Sequence, residues 1–351
     1  MKRVTQEDIA KKLNITRTTV ARALNNKGYV EADLKAKILK TATEMGYKAN
    51  QGARSLAKKN GWHVHCFLAS YNEEFAEQLE SGLKAVARDY SHYGFSISVY
   101  SHKPDNPGQQ VSKLREIMAG EKVDGLILSP MLKNEINEIL DKYVPENVPV
   151  SSLNLKVDHS KNLFYVGSDS NAGGALAAEL MAMLMGQKGK IAVFNTFNEF
   201  EALKCRYTGF MNKMKEFQNI KIVENLYLDN IEDSEAEAIR ILDEHKDLTG
   251  MYTNTEITYL SRAIERRNRE NIKLVGNGLD NEIMALISRG YVDMAVHSRP
   301  YFQGYLVGKY MFNYILNGVV PENKNTFVGF DIATKSNLEV DDSFRILTSG
   351  E

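Results

Sequence analysis

Two short amphipathic segments near the start of the chain constrain its fold more than any other feature. The first begins like a capping box, with Thr5 followed three residues later by Asp8. A tight turn through Asn14 and Ile15 then leads into a second segment with helical periodicity. Aliphatic residues share one side of that helix, and its opposite side carries Arg17, Thr18, Ala21, Arg22 and Asn25. This arrangement predicts a helix-turn-helix whose polar and basic stripe suits base edges in a DNA major groove.

The outward stripe also predicts which side chains contact DNA. Arg17, Thr18 and Arg22 are expected at or near the bases, because an arginine can bond two acceptors on guanine. Polar groups near the helix ends are expected to hold phosphates, and these are Thr5, Thr16, Thr19 and Asn25. Ordinary helix capping explains Thr5 and Thr16 equally well.

Charge is distributed unevenly, although 44 lysines and arginines nearly balance 45 aspartates and glutamates. Residues 1–60 contain 14 basic and 5 acidic side chains, so residues 61–351 contain 30 basic and 40 acidic ones. A basic first part followed by an acidic remainder fits a protein that contacts phosphate groups at one end only.

Several protein classes are disfavoured by features that the sequence lacks. The first residues lead into no apolar stretch of a signal peptide, and no apolar run approaches the ~18 residues of a membrane span. Cys66 and Cys205 have neither the spacing of a ligand pair nor that of a disulfide framework, which suits a reducing cytosol. His63 and His65 share a strand face without an evident third ligand. We therefore expect a cytoplasmic protein without a membrane segment, metal ion or other cofactor.

From residue 62 onward, apolar strand-like runs alternate with stretches of helical periodicity. Ten runs are predicted as strands: 62–69, 95–100, 123–128, 148–153, 163–166, 190–194, 221–228, 249–252, 273–275 and 293–296. This alternation predicts parallel sheets with helices on both faces. Ten strands are many for one compact sheet, so two sheets are expected. Before these ten runs, the pattern of residues 33–45 predicts a third helix in the amino-terminal part of the chain, and Gly46 ends it.

The head resembles the amino-terminal domain of the LacI family of bacterial transcription regulators. The shared motifs are Asp-Ile-Ala at 8–10, Thr-Val-x-Arg-x-Leu-Asn at 19–25, Met-Gly-Tyr at 45–47, Asn50 and Ala-Arg-Ser-Leu at 53–56. They occur in the family's order and spacing, with one departure. Ala21 stands where the family usually has serine, so we expect one polar contact to the operator to be missing or moved.

The order of segments in the body resembles the family's effector domain. The resemblance implies a small all-α helix-turn-helix head followed by an α/β two-lobed, periplasmic-binding-protein-like (type I) domain with two parallel sheets. We expect the head at 1–49, a hinge helix and linker at 50–61, the effector-binding and dimerisation domain at 62–340, and a tail at 341–351. Lobe one would comprise about 62–166 and 298–327, and lobe two about 167–297 and 328–340.

The hinge carries its own expected DNA contacts. In the family, two hinge helices pair on the operator and insert a leucine wedge into the minor groove, and Leu56 occupies that position here. Ala53, on the same helical face, is small enough to pack against a partner hinge, and Asn50 belongs to the same set. Anything that separates the paired hinges would withdraw the wedge, which provides a switch. Simple packing of Leu56 within a linker is the alternative.

An effector pocket is predicted where the strands end, because ligands of α/β sheets bind at the carboxyl ends of strands. Polar and aromatic residues at these positions are Tyr71, Asn72, Phe75, Ser129, Asn154, Asn195, Phe197, Asn254, Asp280 and Ser298. The resemblance adds Arg206, which begins an R-x-x-G-F element whose arginine commonly holds ligand hydroxyls. It also places Asn254 where an amide contact is usual. Such a set suits a polyhydroxylated ring, although each residue could instead serve only a loop or a cap, as Asp169 is expected to do.

Two pocket positions depart from the family pattern. Gly278 stands where an aspartate is common, and Ser298 stands where a glutamine is common. The family's usual sugar contacts therefore do not carry over directly.

These features together predict a sequence-specific DNA-binding transcriptional regulator, a repressor rather than an activator. A homodimer would bind a pseudo-palindromic operator, and a sugar or sugar derivative between the lobes would control it. A purine- or nucleoside-responsive co-repressor system is an open alternative. A solute-binding protein without DNA function is a rival from another class, and an enzyme is disfavoured because no catalytic set stands out.

Overall fold

The computed structural model describes residues 4–25, 29–45, 61–196 and 201–340, without the side chains of Asn25, Thr43 and Val340. Its head consists of three helices, α1 (Gln6–Leu13), α2 (Arg17–Asn25) and α3 (Ala32–Glu44). The third helix begins and ends one residue before its predicted limits, and Gly46 lies outside the described residues.

Helix α1 is bounded by local hydrogen bonds that the sequence predicts. The Thr5 hydroxyl accepts from the Asp8 amide at 3.3 Å, and the Thr5 amide donates to the Asp8 carboxylate at 2.8 Å. This is the expected capping box. At the other end Asn14 adopts a left-handed conformation with φ 53°, which lets the Ile15 amide reach the Ala10 carbonyl at 3.0 Å.

The head packs around a small aliphatic core from all three helices. Its buried members are Ile9, Ala10, Val20, Ala23, Ile38 and Ala42. Fully burying one isoleucine stabilises a fold by about 1.5–3 kcal/mol, so Ile9 and Ile38 are major contributors. Because these faces turn inward, the polar stripe of α2 is left outside.

The body contains two six-stranded sheets. The first has the strand order β11-β5-β4-β3-β1-β2 and is parallel throughout. Its strands are β1 (Trp62–Ala69), β2 (Phe95–His102), β3 (Gly125–Leu128), β4 (Val150–Leu153), β5 (Asn162–Gly167) and β11 (Asn325–Phe327). The second has the order β12-β10-β9-β8-β6-β7, with only β12 antiparallel. Its strands are β6 (Gly189–Thr196), β7 (Ile220–Leu228), β8 (Gly250–Thr253), β9 (Lys273–Asn277), β10 (Met294–His297) and β12 (Asp331–Ala333).

Helices cover both faces of each sheet, so each sheet with its helices forms one lobe. The first lobe has α4 (Glu73–Asp89), α5 (Gly108–Gly120), α6 (Lys133–Tyr143) and α12 (Pro300–Asn317). The second has α7 (Ser170–Leu184), α8 (Glu201–Met214), α9 (Asp233–Glu244), α10 (Thr258–Arg266), α11 (Asn281–Arg289) and α13 (Lys335–Val340). Each sheet therefore separates two apolar clusters, as the continuous apolar runs of its central strands require. The predicted fold class, a helical head and two lobes with one sheet each, is confirmed, and the sheets are parallel as predicted except at β12.

The chain passes between the lobes three times, after β5, after β10 and after β11. At the first passage the Asp169 carboxylate caps α7, accepting from the amides of Asn171 and Ala172 at 3.0 and 3.1 Å. The sequence predicts this capping role for Asp169. At the second passage Arg299 adopts a left-handed conformation with φ 54°.

In each lobe two helices cross at glycines, so their backbones nearly touch. A Cβ on Gly82 of α4 would lie 2.0 Å from the Tyr301 carbonyl oxygen, and one on Gly304 of α12 would lie 2.0 Å from that of Leu79. In the second lobe, a Cβ on Gly174 of α7 would lie 1.9 Å from the Arg206 carbonyl oxygen. Any larger residue would force the helices apart, so glycine sets both crossings.

Candidate DNA-binding face and interlobe site

The outer stripe of α2 has the exposure that a DNA contact requires. Arg17, Thr18 and Arg22 are exposed, and the first turn of α2 contains no acidic residue. A helix N-terminus carries positive partial charge, so this end of α2 attracts phosphate.

The predicted phosphate-positioning residues also have local roles. The Thr16 hydroxyl accepts from the Thr19 amide at 3.1 Å and bonds the Thr19 hydroxyl at 2.8 Å, so Thr16 caps α2. Thr5 belongs to the capping box of α1, and both threonines remain exposed. Their contacts with DNA stay predictions. The Asn25 side chain and the hinge residues Asn50, Ala53 and Leu56 lie outside the described part of the chain.

In the first lobe, Ser129 stands at the carboxyl end of the central strand β3. Its side chain is 1 % exposed, and its hydroxyl has no hydrogen-bond partner among the described residues. The Gln110 amide fixes this strand exit by donating to the Ser129 carbonyl at 3.0 Å and accepting from the Met131 amide at 2.9 Å. A buried hydroxyl at a strand end is suited to an incoming ligand group.

Asn154 ends β4 in a left-handed conformation, with φ 61°. Asparagine tolerates this conformation better than most residues. Its carbonyl oxygen accepts from the Tyr165 hydroxyl at 3.0 Å, and burial raises the pKa of Tyr165 to about 12. Tyr165 therefore acts as a neutral donor that fixes the turn at Asn154.

The other predicted residues of the first lobe lie at the start of α4. Asn72 caps this helix by accepting from the Phe75 amide at 2.9 Å. Tyr71 is 39 % exposed, whereas Phe75 is half-buried against the lobe's core. Of these two aromatic side chains, Tyr71 is the more accessible.

In the second lobe, Asn254 connects three segments through its fully buried side chain. Its Oδ1 accepts from the Thr196 amide at 3.2 Å, and its Nδ2 donates to the Leu203 carbonyl at 3.2 Å and to Asn195 Oδ1. The two asparagines that the sequence offers as ligand contacts therefore bond each other. Their roles toward a ligand stay predictions.

Arg206 lies over the same strand ends. Its Nη1 donates to the Asn254 carbonyl at 2.8 Å, and burial lowers the pKa of the guanidinium. Behind it the rings of Phe210 and Tyr252 stack with centroids 3.6 Å apart. A guanidinium has five donors, so Arg206 can hold Asn254 and still donate to a ligand.

Asp280 caps α11, with Oδ1 accepting from the Ile283 amide at 2.7 Å. Burial raises the pKa of this carboxyl, and the Ile283 amide opposes the shift. Nearby, Gly278 has φ 96°, and a Cβ built on it would meet nothing within 4 Å. Gly278 lacks the side chain of the aspartate that is common in the family, and no neighbouring atom fills the space where its Cβ would lie.

Polar residues gather where β10 ends, and the sequence analysis predicted only Ser298 among them. The Ser298 carbonyl accepts from Gln303 Nε2 at 2.7 Å. His297, the last residue of β10, is 2 % exposed, and burial, followed by the Arg299 charge, lowers its pKa to about 4. His297 could have been found by the strand-end rule, whereas Gln303 and Gln110 lie within helices, where glutamine gives no signal. Phe197 lies outside the described residues.

Comparison with known families follows the division into head and body. Residues 5–50 match the family model for bacterial regulatory proteins of the lacI family. Residues 64–318, more than half of the chain, match the model for the periplasmic binding protein domain. The chain belongs to the LacI family of bacterial regulatory proteins. The family resemblance predicted from the motifs of the head is thereby confirmed.

Two relatives illustrate the range of similarity. A ribose operon repressor from Halalkalibacterium halodurans is 25% identical over 296 residues, covering 78% of this chain and 79% of its own. A sucrose operon repressor from Pediococcus pentosaceus is 28% identical over 176 residues, which is 50% of either chain. Both relatives are operon repressors by name.

Solved structures share the fold of the body. A solute binding protein from Agrobacterium vitis bound with alpha-D-tagatopyranose has a TM-score of 0.68 at 20% identity, covering 82% of this LacI-family chain and 99% of its own. The arabinose binding protein AraP from Geobacillus stearothermophilus has a TM-score of 0.71 at 18% identity, with 80% and 98% covered. Among the described residues of this chain, no helix has the length and apolar character needed to cross a bilayer.

Proposed function

We propose that this LacI-family protein is a cytoplasmic, homodimeric transcriptional repressor whose binding to operator DNA is controlled by a carbohydrate between its lobes. The observation that carries this proposal is one chain that joins a helix-turn-helix with an exposed basic stripe to a two-lobed solute-binding body. A body of that fold alone would suit transport, whereas the head adds a contact with DNA.

The chemistry of the strand ends supports a polyhydroxylated effector. Arg206 offers donors, and the buried hydroxyls of Ser129 and Thr196 have no partner among the described residues. Tyr71 adds an accessible aromatic face. A sugar ring presents hydroxyls at its edge and C–H groups on its faces, so it can use both kinds of contact. The names of the relatives point the same way, since they include ribose and sucrose operon repressors.

Control follows if the carbohydrate binds one arrangement of the lobes more tightly than the other. Only such a difference in affinity can shift the equilibrium, and linkage then makes DNA and effector influence each other. In a homodimer, lobe movement would alter the spacing of the two hinges and heads. A pseudo-palindromic operator depends on that spacing.

The test is a gel-shift titration of the full-length protein on DNA from upstream of its own gene, at fixed salt, with a panel of sugars and nucleobases. We expect a specific complex that one sugar dissociates. Tightening of the complex by a nucleobase would identify a purine-responsive regulator instead. Failure to bind any specific duplex would overturn the proposal.

A further inference from the structure

Two side chains of α4, in the first lobe, contact the segment that leads into α11 in the second lobe. Gln78 Nε2 donates to the Leu279 carbonyl at 3.3 Å, and the Asn281 amide donates to Glu74 Oε2 at 3.1 Å. Glu74 and Gln78 are four residues apart, so they lie on the same face of α4. Gln78 is only 3 % exposed, so its contact is shielded from water.

The contact from Glu74 is a helix cap supplied by the other lobe. The first amides of a helix have no partner within it, and here Asp280 satisfies Ile283 while Glu74 satisfies Asn281. A carboxylate is favoured at this position because of the partial positive charge of the helix N-terminus. Separation of the lobes would remove the cap and expose the buried amide of Gln78.

A second contact between the lobes is weaker. Lys133 Nζ lies 3.4 Å from Glu201 Oε2, but the two side chains are 54 % and 81 % exposed. Exposed ion pairs of this kind contribute little, because water and salt screen them. The contacts of α4 are therefore the stronger of these two links between helices of the lobes.

Helix α4 cannot move independently of the first lobe. The glycine crossing at Gly82 and Gly304 joins its backbone to that of α12, which begins directly after the second passage between the lobes. Gln303, beside Gly304, also holds the Ser298 carbonyl of that passage at 2.7 Å. A displacement of α4 would therefore also move the segment at Ser298 that connects the lobes.

We propose that Glu74 and Gln78 form an interlobe latch that stabilises the arrangement of the lobes in this structure, which we call closed because α4 contacts the segment that leads into α11. The effect on effector affinity rests on the proposed function, but the latch itself does not. If an effector binds the closed arrangement, its apparent affinity is proportional to the closed fraction. Loss of the latch then weakens effector binding without changing a residue predicted to contact the ligand.

Neighbouring charges are compatible with this role. Glu74 faces Asp280, which caps α11, Glu282 on α11 and Glu77 on its own helix. Glu282 is paired with Arg262 at 2.8 Å. Burial, together with these acidic neighbours, raises the pKa of Glu74, while the Asn281 amide opposes the shift. The Asn281 contact therefore offsets part of the cost of holding a carboxylate between the lobes.

The test measures the distance between the lobes directly. Nitroxide labels at Tyr143→Cys in the first lobe and Met183→Cys in the second occupy exposed positions, with Cys205 changed to serine and Cys66 left in its buried site. Electron–electron double resonance is recorded on the full chain, diluted with unlabelled protein, without DNA or sugar. The test variant is Glu74→Ala with Gln78→Met, which keeps the volume at position 78. Arg88→Ala, an exposed position on the same helix and absent from the charges that act on Glu74, is the control.

We expect the double variant to shift at least half of the distance distribution to a longer separation, and the control to match the parent. Identical distributions in all three proteins, with unchanged melting curves, would overturn the latch. If Gln78→Met unfolds the protein, Glu74→Ala alone is measured and judged by the same shift. Since neither DNA nor sugar is used, failure here leaves the gel-shift result, and with it the proposed function, unaffected.

Discussion

Several side chains that are predicted to contact a ligand or phosphate also have a structural role. Thr5, Thr16, Asn72 and Asp280 were singled out as ligand or phosphate contacts, and each caps a helix. Capping uses one acceptor, and a carboxylate or hydroxyl has further lone pairs for a ligand. A cap at the entrance of a site therefore fixes the helix and leaves its residue available to the ligand.

Substitution of Arg22 tests whether the exposed stripe of α2 recognises DNA bases. Replacing Arg22 with alanine is expected to weaken specific operator binding by about 1–3 kcal/mol, because a bidentate contact to guanine would be lost. Binding to random DNA should change much less. Competition gel shifts measure both, with Lys37→Ala on the exposed side of α3 as the control. An equal loss on both kinds of DNA would refute base recognition by Arg22.

Arg206 tests the interlobe site. The variant Arg206→Ala should abolish the response to the active sugar while operator affinity stays within about twofold, because every predicted DNA contact lies in the head and hinge and none in the body. Titration of the operator complex with that sugar provides the measurement. Lys204→Ala, an exposed position on the same helix, should respond as the parent does. A normal response by Arg206→Ala would contradict the site.

His297 predicts how stability depends on pH. Its pKa of about 4 in the folded chain lies below the usual value of 6.5, so protons bind preferentially to the unfolded chain. The free energy of unfolding should therefore fall between about pH 6.5 and pH 4, by about 3 kcal/mol from this group. Urea denaturation of His297→Gln should show a correspondingly flatter profile. The exposed His92→Gln serves as the control, and a parent-like slope in His297→Gln would contradict the prediction.

At the scale of helices and strands, periodicity located most of the body. All ten predicted strands are present, because short segments rich in apolar residues between helical stretches are typical of buried strands. Strands β11 and β12 have three residues each and no apolar pattern, so the sequence predicts neither of them, and only the lobe bounds implied by the resemblance assign residues 328–340 to the second lobe. Strand β2 extends two polar residues beyond its predicted end, since Ser101 and His102 pair with β1.

The glycine crossing of α7 and α8 gives a prediction at this scale. Gly174→Ala should lower the free energy of unfolding by about 1–3 kcal/mol, because its Cβ would lie 1.9 Å from the Arg206 carbonyl oxygen. Chemical denaturation measures the change. Gly120→Ala at the end of α5 is the control, since a Cβ there meets nothing within 4 Å. Equal stability of Gly174→Ala and the parent would show that the crossing can relax.

For the whole molecule, the sequence indicated the family and the two-lobed body but not the links between the lobes. Strand-end reasoning located Ser129, Asn154 and Asn195, because it depends only on where apolar runs stop. It missed Gln78, Gln110 and Gln303, which are buried on helices. Glutamine is usually exposed, so nothing in a helical pattern distinguishes a buried one. Such contacts depend on how distant segments meet, which local patterns do not record.

The backbone-to-backbone helix crossings have a mechanical consequence for the body. Where side chains separate two helices, changes of rotamer can accommodate a displacement of one helix. At Gly82, Gly304 and Gly174 the backbones nearly touch, so no side chains are present to accommodate it. A displacement of one helix at such a crossing is therefore passed to its partner, so each helix pair moves as one body. Relative movement of the lobes is then left to the three connections between them.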